Sequence, residues 1–195
     1  DNFSWSTNLN FSYNDNKIKE LVDDLPNGLT LTDFGGAKVI LKEGGHYGDL
    51  YVRHLMRDES GKPLQNEKGE PIVSGDSMDD LEYAGNMNAK VNMGWTNTFR
   101  YKDFSLSFLI DAKFGGKVIG MTEAALDGWG VSKRSGEARD AGGITIDGVK
   151  FDADKYYRTT GNNNFNSPYA VENYVYDATN IRLREMTFGY TFRNL

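Results

Sequence analysis

An all-β fold, an antiparallel meander of long strands, is predicted by two observations. Four segments alternate apolar and polar residues with a period of two, which in a strand sends the two kinds to opposite faces. The composition adds 22 Gly, 11 Tyr and 11 Phe against 4 Pro and no Cys, a profile of many turns and of aromatics that favour strands.

The first strand covers residues 3–13, with Phe3, Trp5, Leu9, Phe11 and Tyr13 on one face and Ser4, Ser6, Asn8, Asn10 and Ser12 on the other; Thr7 alone breaks the apolar row. The second covers 89–101, where Ala89, Val91, Met93, Trp95, Phe99 and Tyr101 share a face and Asn97 is the polar exception. The third, 104–114, sets Phe104, Leu106, Phe108, Ile110, Ala112 and Phe114 against Ser105, Ser107, Asp111 and Lys113, with Leu109 crossing over. A two-residue turn at Lys102 and Asp103 pairs Tyr101 with Phe104, Phe99 with Leu106, Trp95 with Ile110 and Met93 with Ala112, apolar always opposite apolar. A slip of one residue destroys that match. Asp103, tolerant of left-handed backbone, is the turn residue expected to adopt it. The fourth strand spans 180–192, with Met186, Phe188, Tyr190 and Phe192 on one face; "NIRLRE" reverses the phase through Ile181 and Leu183, the mark of a bulge.

Two long stretches, 14–88 and 115–179, separate these strands and are rich in Gly, Asn and Asp. They are read as long loops with short regular pieces: helices near 16–24 and 121–127, and a small hairpin made of "GDLYVRHL" and "EPIV". A tight turn between two long excursions places both excursions on one rim of the sheet, an asymmetry seen in outer-membrane barrels.

Charge and length narrow the functional classes. At 195 residues the chain can bury a sizeable core as one unit, and a net charge of -6 argues against nucleic acid or an anionic membrane surface as the main partner. Without Cys there are no disulfides, thiolate metal sites or thiol nucleophile. The opening "DNFSWSTNLNFSY" has neither a basic nor an apolar leader region, and no window approaches a run of 18 apolar residues, which excludes a transmembrane helix but not transmembrane strands.

The polar face separates two architectures. A soluble sandwich turns its apolar face inward and usually shows Lys and Glu to water, whereas a membrane barrel turns the apolar face to lipid. Here the polar face is mostly Ser, Asn, Thr and Gly, suited to a wet lumen. The strands match the roughly 9–11 residues that cross a bilayer at a tilt. Tyr13, Tyr101, Phe104 and Phe114 fall at strand ends, where interfacial aromatics gather. The barrel wall is favoured; a soluble extracellular β-sandwich that binds ligand with its loops is the alternative.

Four stretches, "NFSWSTNLNFSYNDNKIKEL", "YAGNMNAKVNMGWTNTFRYKDFSLSFLIDAKFGGKVI", "GWGVSKRSGEARDAGG" and "YVYDATNIRLREMTFGYTF", together resemble the C-terminal barrel region of the SusC/RagA-like TonB-linked outer-membrane proteins of Bacteroidetes. The resemblance implies part of a 22-stranded transmembrane β-barrel, located in the outer membrane and facing its lipid. It also implies a SusD-like lipoprotein lid, energy from TonB, and oligosaccharide or peptide cargo. These 195 residues contain no plug domain and no TonB-contacting box, and "YTFRNL" stops short of a terminal strand ending in an aromatic, so the chain is expected to supply wall strands and two extracellular loops.

Other chemistry has weak sequence support. "GGK" at Gly115–Lys117 lacks the remaining features of a phosphate loop. His46, His54 and Asp49 fit no zinc spacing, and Asp147, Asp152 and Asp154 miss the EF-hand positions. Asp23 with Asp24 and Asp79 with Asp80 are adjacent carboxylates with no reason to face each other. Arg182, Arg184 and Glu185 suit either a lumen-facing charge network or contact with a plug on one side, or an ordinary strand-end ion pair on the other; Trp129, Tyr156, Tyr157, Tyr174 and Tyr176 suit local packing better than stacking on sugar rings or gripping a lid protein. No residue is assigned a catalytic, cofactor-binding or metal-binding role, and nothing points to an enzyme.

Overall fold

The computed structural model describes residues 2–25, 28–162 and 169–192; the end of "YTFRNL", residues 193–195, lies outside them. In chain order the strands are β1 (Phe3–Tyr13), β2 (Leu29–Asp33), β3 (Ala37–Leu41), β4 (Asp49–Val52), β5 (Glu82–Asn86), β6 (Val91–Tyr101), β7 (Phe104–Phe114), β8 (Lys117–Ile119), β9 (Ile144–Ile146), β10 (Val149–Phe151), β11 (Val175–Asp177) and β12 (Asn180–Tyr190). Among the described residues three helices, α1 (Met121–Gly128), α2 (Lys133–Asp140) and α3 (Ala153–Thr160), and a 3-10 turn at Val171–Tyr174 complete the elements. The second long strand begins at Val91 rather than residue 89, and the last ends at Tyr190 rather than 192. The chain divides into two compact units: the long strands, and a body drawn from Asn16–Met87 and Lys117–Tyr176.

The first unit is one open antiparallel sheet in the order β1-β6-β7-β12. Four strands do not close a barrel. Pairing of β6 with β7 runs Tyr101↔Phe104, Phe99↔Leu106, Trp95↔Ile110 and Met93↔Ala112, the register that apolar matching dictates. The turn differs in one respect: Lys102, at φ 52, holds the left-handed backbone in place of Asp103. Neighbouring strands explain how a Lys bears it, since Lys102 N–H donates to Asn2 carbonyl at 2.7 Å and Asp103 carbonyl accepts from Thr191 N–H at 2.8 Å. These bonds offset a strain of about 1–2 kcal/mol.

The phase reversal in "NIRLRE" is resolved by a register shift between Leu183 and Glu185, so that Leu183 faces Ile110 and Glu185 faces Leu109. Arg184 is the inserted residue. Through it Ile181 and Leu183 join Met186, Phe188 and Tyr190 on one face, where their partners are Ala112, Ile110, Phe108, Leu106 and Phe104.

The two excursions fold together as one body that shares a core. Its main sheet, β2-β3-β4-β5, is joined by the two-stranded pairs β9-β10 and β8-β11. Ala37, Val39, Leu50 and Val52 from the first excursion share a core with Ala124, Tyr169, Val171 and Tyr174 from the second. A second cluster joins Leu55 to Ala138, Phe151, Ala153, Tyr156, Tyr157 and Ala170. Leu55 N–H donates to the Glu172 carboxylate at 2.7 Å, across 117 residues of chain. Strands of three to five residues carry too little alternation to stand out from a Gly-rich background.

Two local expectations are also corrected. Residues 16–24 form no helix, because their polar groups are committed elsewhere: Ile18 N–H donates to Gly45 carbonyl, Gly44 N–H to Ile18 carbonyl, and Leu21 N–H to Glu43. The segment "GDLYVRHL" does not pair with "EPIV" as a hairpin, since β4 lies between β3 and β5. Only its end reaches across, through the Leu55↔Val73 bridge. α1, by contrast, occupies nearly the residues anticipated.

The structure also exposes a tandem octad, "RDESGKPL" then "QNEKGEPI". In each, the first turn side chain accepts two backbone N–H groups: Asp58 from Ser60 and Lys62, Asn66 from Lys68 and Glu70. Gly61 and Gly69 supply the positive φ that the turns need. Met56, Leu64 and Ile72, eight residues apart, close a ring of backbone hydrogen bonds in which each N–H donates to the carbonyl of another.

Candidate functional site

Each long strand has 11 residues, about 36 Å of extended chain, or roughly 25 Å of height when tilted as barrel strands are. That height equals an outer-membrane apolar band. The apolar row is open: Phe3, Trp5, Leu9 and Phe11 on β1 keep 57–64% of their surface, and Ile181, Leu183, Met186 and Phe188 on β12 keep 60–68%. Trp95 on the inner strand β6 is still 39% exposed. No second layer of described residues covers them. Aromatics mark both ends of the row. At the turn end Tyr101 faces Phe104, and the Phe104 ring lies 4.8 Å from that of Tyr190; at the far end stand Tyr13 and Phe114.

The two polar residues that interrupt this row, Thr7 and Asn97, lie directly opposite each other. Each serves an indole from the opposing strand. Trp5 Nε1 donates to Asn97 Oδ1 at 3.1 Å, and Trp95 Nε1 donates to Thr7 Oγ1 at 2.9 Å. Asn97 is 1% exposed beneath these rings. Its Nδ2 has no partner among the described residues. Two apparent faults of the alternation are therefore acceptors for two ring N–H groups that apolar surroundings leave otherwise unpaired.

The opposite face is hydroxyl- and amide-rich, with Thr98 and Ser107 hydroxyls 3.1 Å apart. Its charges gather where the bulge lies. Arg182 Nη2 donates to Asp111 Oδ1 at 2.9 Å, and Arg184 Nη1 approaches the same oxygen at 3.4 Å. Both arginines named from sequence thus meet one carboxylate, while Glu185 only accepts a long 3.4 Å bond from Thr187. No spacing in the sequence singled out Asp111; the cross-strand pair Arg182↔Asp111 supplies it.

In the body, "GWGVSKRSGEARDAGG" acquires a structural meaning. Asp127, at the end of α1 and 0% exposed, accepts from Ser132 Oγ at 2.5 Å, from Arg134 Nε at 2.7 Å and Nη2, and from Tyr174 Oη at 3.0 Å. Arg134 reaches on to Glu123 at 2.9 Å and lies over the Tyr174 ring. The Asp127 carboxylate holds the Arg134 guanidinium well above its ordinary value, and burial followed by the same carboxylate raises the Tyr174 phenol. Glu123, accepting from Tyr176 Oη at 2.6 Å, raises that phenol too. The network fastens α1, α2 and the Val171–Tyr174 turn together.

Of the loop aromatics, Tyr156, Tyr157 and Tyr174 are core residues; Trp129 is 70% exposed and Tyr176 is partly open. Gly115 and Gly116, both at positive φ, turn the chain from β7 into β8, where a phosphate loop would lead into a helix. His46 and His54 are served apart: His46 Nδ1 stands 3.9 Å from Asp49, and His54 Nδ1 3.9 Å from Glu82. Asp49 accepts from His46 N–H and Asn86 Nδ2, closing the turn before β4. Asp147 turns the β9–β10 hairpin and pairs with Arg57, Asp152 caps α3, and Asp154 pairs with Arg158. Asp80 accepts from Ser77, and Asp23 and Asp24 sit in a turn. Among the described residues no three His, Cys, Asp or Glu converge.

A single-layer sheet with one open apolar face and one polar face is the geometry found in the walls of membrane barrels, and known proteins similar to this chain include TonB-dependent receptors. One is TonB-dependent receptor P3 of Formosa agariphila, 26% identical over 96% of this chain and 20% of the relative. Another is TonB-dependent receptor SusC of Bacteroides thetaiotaomicron, 25% identical over 99% of this chain and 19% of the relative. The chain spans about a fifth of the length of these curated relatives. No family model matches it. The resemblance to SusC-like proteins drawn from four stretches extends over nearly the whole chain.

Proposed function

We infer that this chain is a segment of the C-terminal barrel of a TonB-dependent outer-membrane importer. β1, β6, β7 and β12 supply wall strands, and the folded body supplies extracellular loops. The observation that carries the reading is the open apolar row, with β1 and β12 side chains 57–68% exposed, backed by a face of hydroxyls, amides and the Asp111–Arg182–Arg184 group. The outer edges of β1 and β12 accept further strands, which belong to the four-fifths of the relatives' length outside this chain. In this reading the plug and the TonB contact also lie outside residues 1–195, a SusD-like lipoprotein covers the mouth, the cargo is an oligosaccharide or peptide, and the protein works by transport rather than catalysis.

The test is substitution of Phe108 or Ile110 by Arg in the full-length protein. Insertion into the outer membrane or into vesicles is expected to fall, since Arg facing lipid near the midplane costs roughly 2–4 kcal/mol. Insertion at the unsubstituted level overturns the lipid-facing row. A chain that is monomeric and unfolds cooperatively in plain buffer supports the soluble sandwich instead.

A further inference from the structure

We propose that the Trp5–Asn97 and Trp95–Thr7 hydrogen bonds are a register lock for the pairing of β1 with β6. The proposal rests on the lipid-facing reading of the apolar row. β6 and β7 need no such device, because a two-residue turn fixes their register. β1 and β6 are joined only through the whole first excursion, so nothing local aligns them. Along most of the row every residue is apolar, and a slip of two residues again places apolar opposite apolar. Hydrophobic matching alone is therefore nearly blind to that slip.

The polar pair is not. In the native register Thr7 faces Asn97, and each indole reaches its acceptor diagonally, Trp5 from opposite Phe99 and Trp95 from opposite Leu9. Diagonal neighbours lie about 7–8 Å apart, a span that a tryptophan covers. A slip that brings Thr7 opposite Phe99 and Asn97 opposite Leu9 leaves two indole N–H groups and two acceptors with only hydrocarbon around them. A slip the other way sets each indole directly across from its acceptor, at about 5 Å between Cβ atoms, too close for the ring to point its N–H at it. Facing lipid, water cannot rescue either error.

The experiment uses the full-length protein with paired cysteines on the polar face, where they leave the apolar row untouched. The pair N8C with T96C reports the native register, and N8C with T98C reports the slip by two. Each is oxidised in two backgrounds: W5F with W95F, which keeps an aromatic ring at each position and removes the N–H groups, and T7V with N97L, which removes the acceptors. Without background changes only the 8–96 link is expected. In either background the ratio of the 8–98 to the 8–96 link is expected to rise about thirtyfold, as loss of two hydrogen bonds of ordinary strength predicts. Exclusive 8–96 linkage in both backgrounds overturns the lock, whether or not the variants insert, since register then survives without it. If Phe108→Arg inserts normally, the lipid-facing reading fails instead, whatever the cross-links show.

Discussion

Tyr174 and Asp127 are joined by a hydrogen bond of 3.0 Å in which the phenol donates to a carboxylate with no exposed surface. Arg134 closes on the same carboxylate, but its own side chain keeps 38% of its surface. The two charges therefore differ in what their loss leaves behind. Asp127→Ala frees an arginine that can turn to water but leaves the buried Tyr174 hydroxyl without its acceptor, and is expected to cost about 2–3 kcal/mol, whereas Arg134→Leu strands a buried carboxylate and is expected to cost about 3–5 kcal/mol. Denaturant unfolding of the body, followed by limited proteolysis, measures the difference; equal losses contradict it.

Alkali should loosen the same core. Burial pushes Tyr156 up to about 12 and Tyr169 up to about 12, and raises Tyr174 as well, from an ordinary value of 10.0. Between those values the folded body keeps protons that the unfolded chain has released, so stability is whole below pH 10 and falls as pH rises from 10 through 12. Phenolate absorbance should show exposed tyrosines titrating first and a second group appearing together with unfolding. Tyr156→Phe is expected to reduce the alkaline loss without restoring stability at neutral pH.

The bulge at Arg184 makes an unusual prediction about deletions. Removing Arg184 brings Leu183, Glu185 and Met186 into plain alternation, with Met186, Phe188 and Tyr190 still on the apolar face, so barrel assembly should persist. Removing Thr187 moves Phe188 and Tyr190 to the polar face and should abolish it. Heat-modifiable migration of the full-length protein distinguishes folded from unfolded barrels for both deletions. Equal tolerance of the two is the outcome that disproves the assigned register.

Gly161, just past α3, marks a close approach of backbone to backbone within the body. A Cβ there would lie 2.4 Å from Gly128 N and 2.7 Å from Tyr157 O, both backbone atoms that cannot swing aside. Gly161→Ala is expected to destabilise the body by about 1–3 kcal/mol, measured as a lowered unfolding midpoint. Gly142→Ala offers a contrast, since its added Cβ meets nothing and the cost comes from its positive φ of 71 alone.

Legibility from sequence followed the length of the repeating signal. Long alternating runs on β1, β6, β7 and β12 outweigh local noise, and the reversed phase of Ile181 and Leu183 marks the bulge. Thr7 and Asn97 were visible only as exceptions, because the bonds that explain them cross between strands. The helix expected at 16–24 failed because Ile18 and Leu21 bond to the distant turn at Glu43–Gly45, which no local propensity records. Nothing local marks Asp127; its partners Ser132 and Arg134 stand in the motif that begins one residue after it, but Tyr174 lies 47 residues on. The octad of Asp58 and Asn66 recurs at a fixed interval, but the polar residues around it share its composition, so its turns do not stand out.

Because Leu50 and Val52 find their core partners in Val171 and Tyr174, the body is sewn from pieces that the β6–β7 hairpin interrupts in the chain. Neither piece can mature until the hairpin and everything after it as far as Tyr174 has emerged. Such distant closure is slow. On the proposed lipid-facing reading, the aromatic row has no hydrocarbon to enter throughout that interval, and the nascent protein is expected to need an escort.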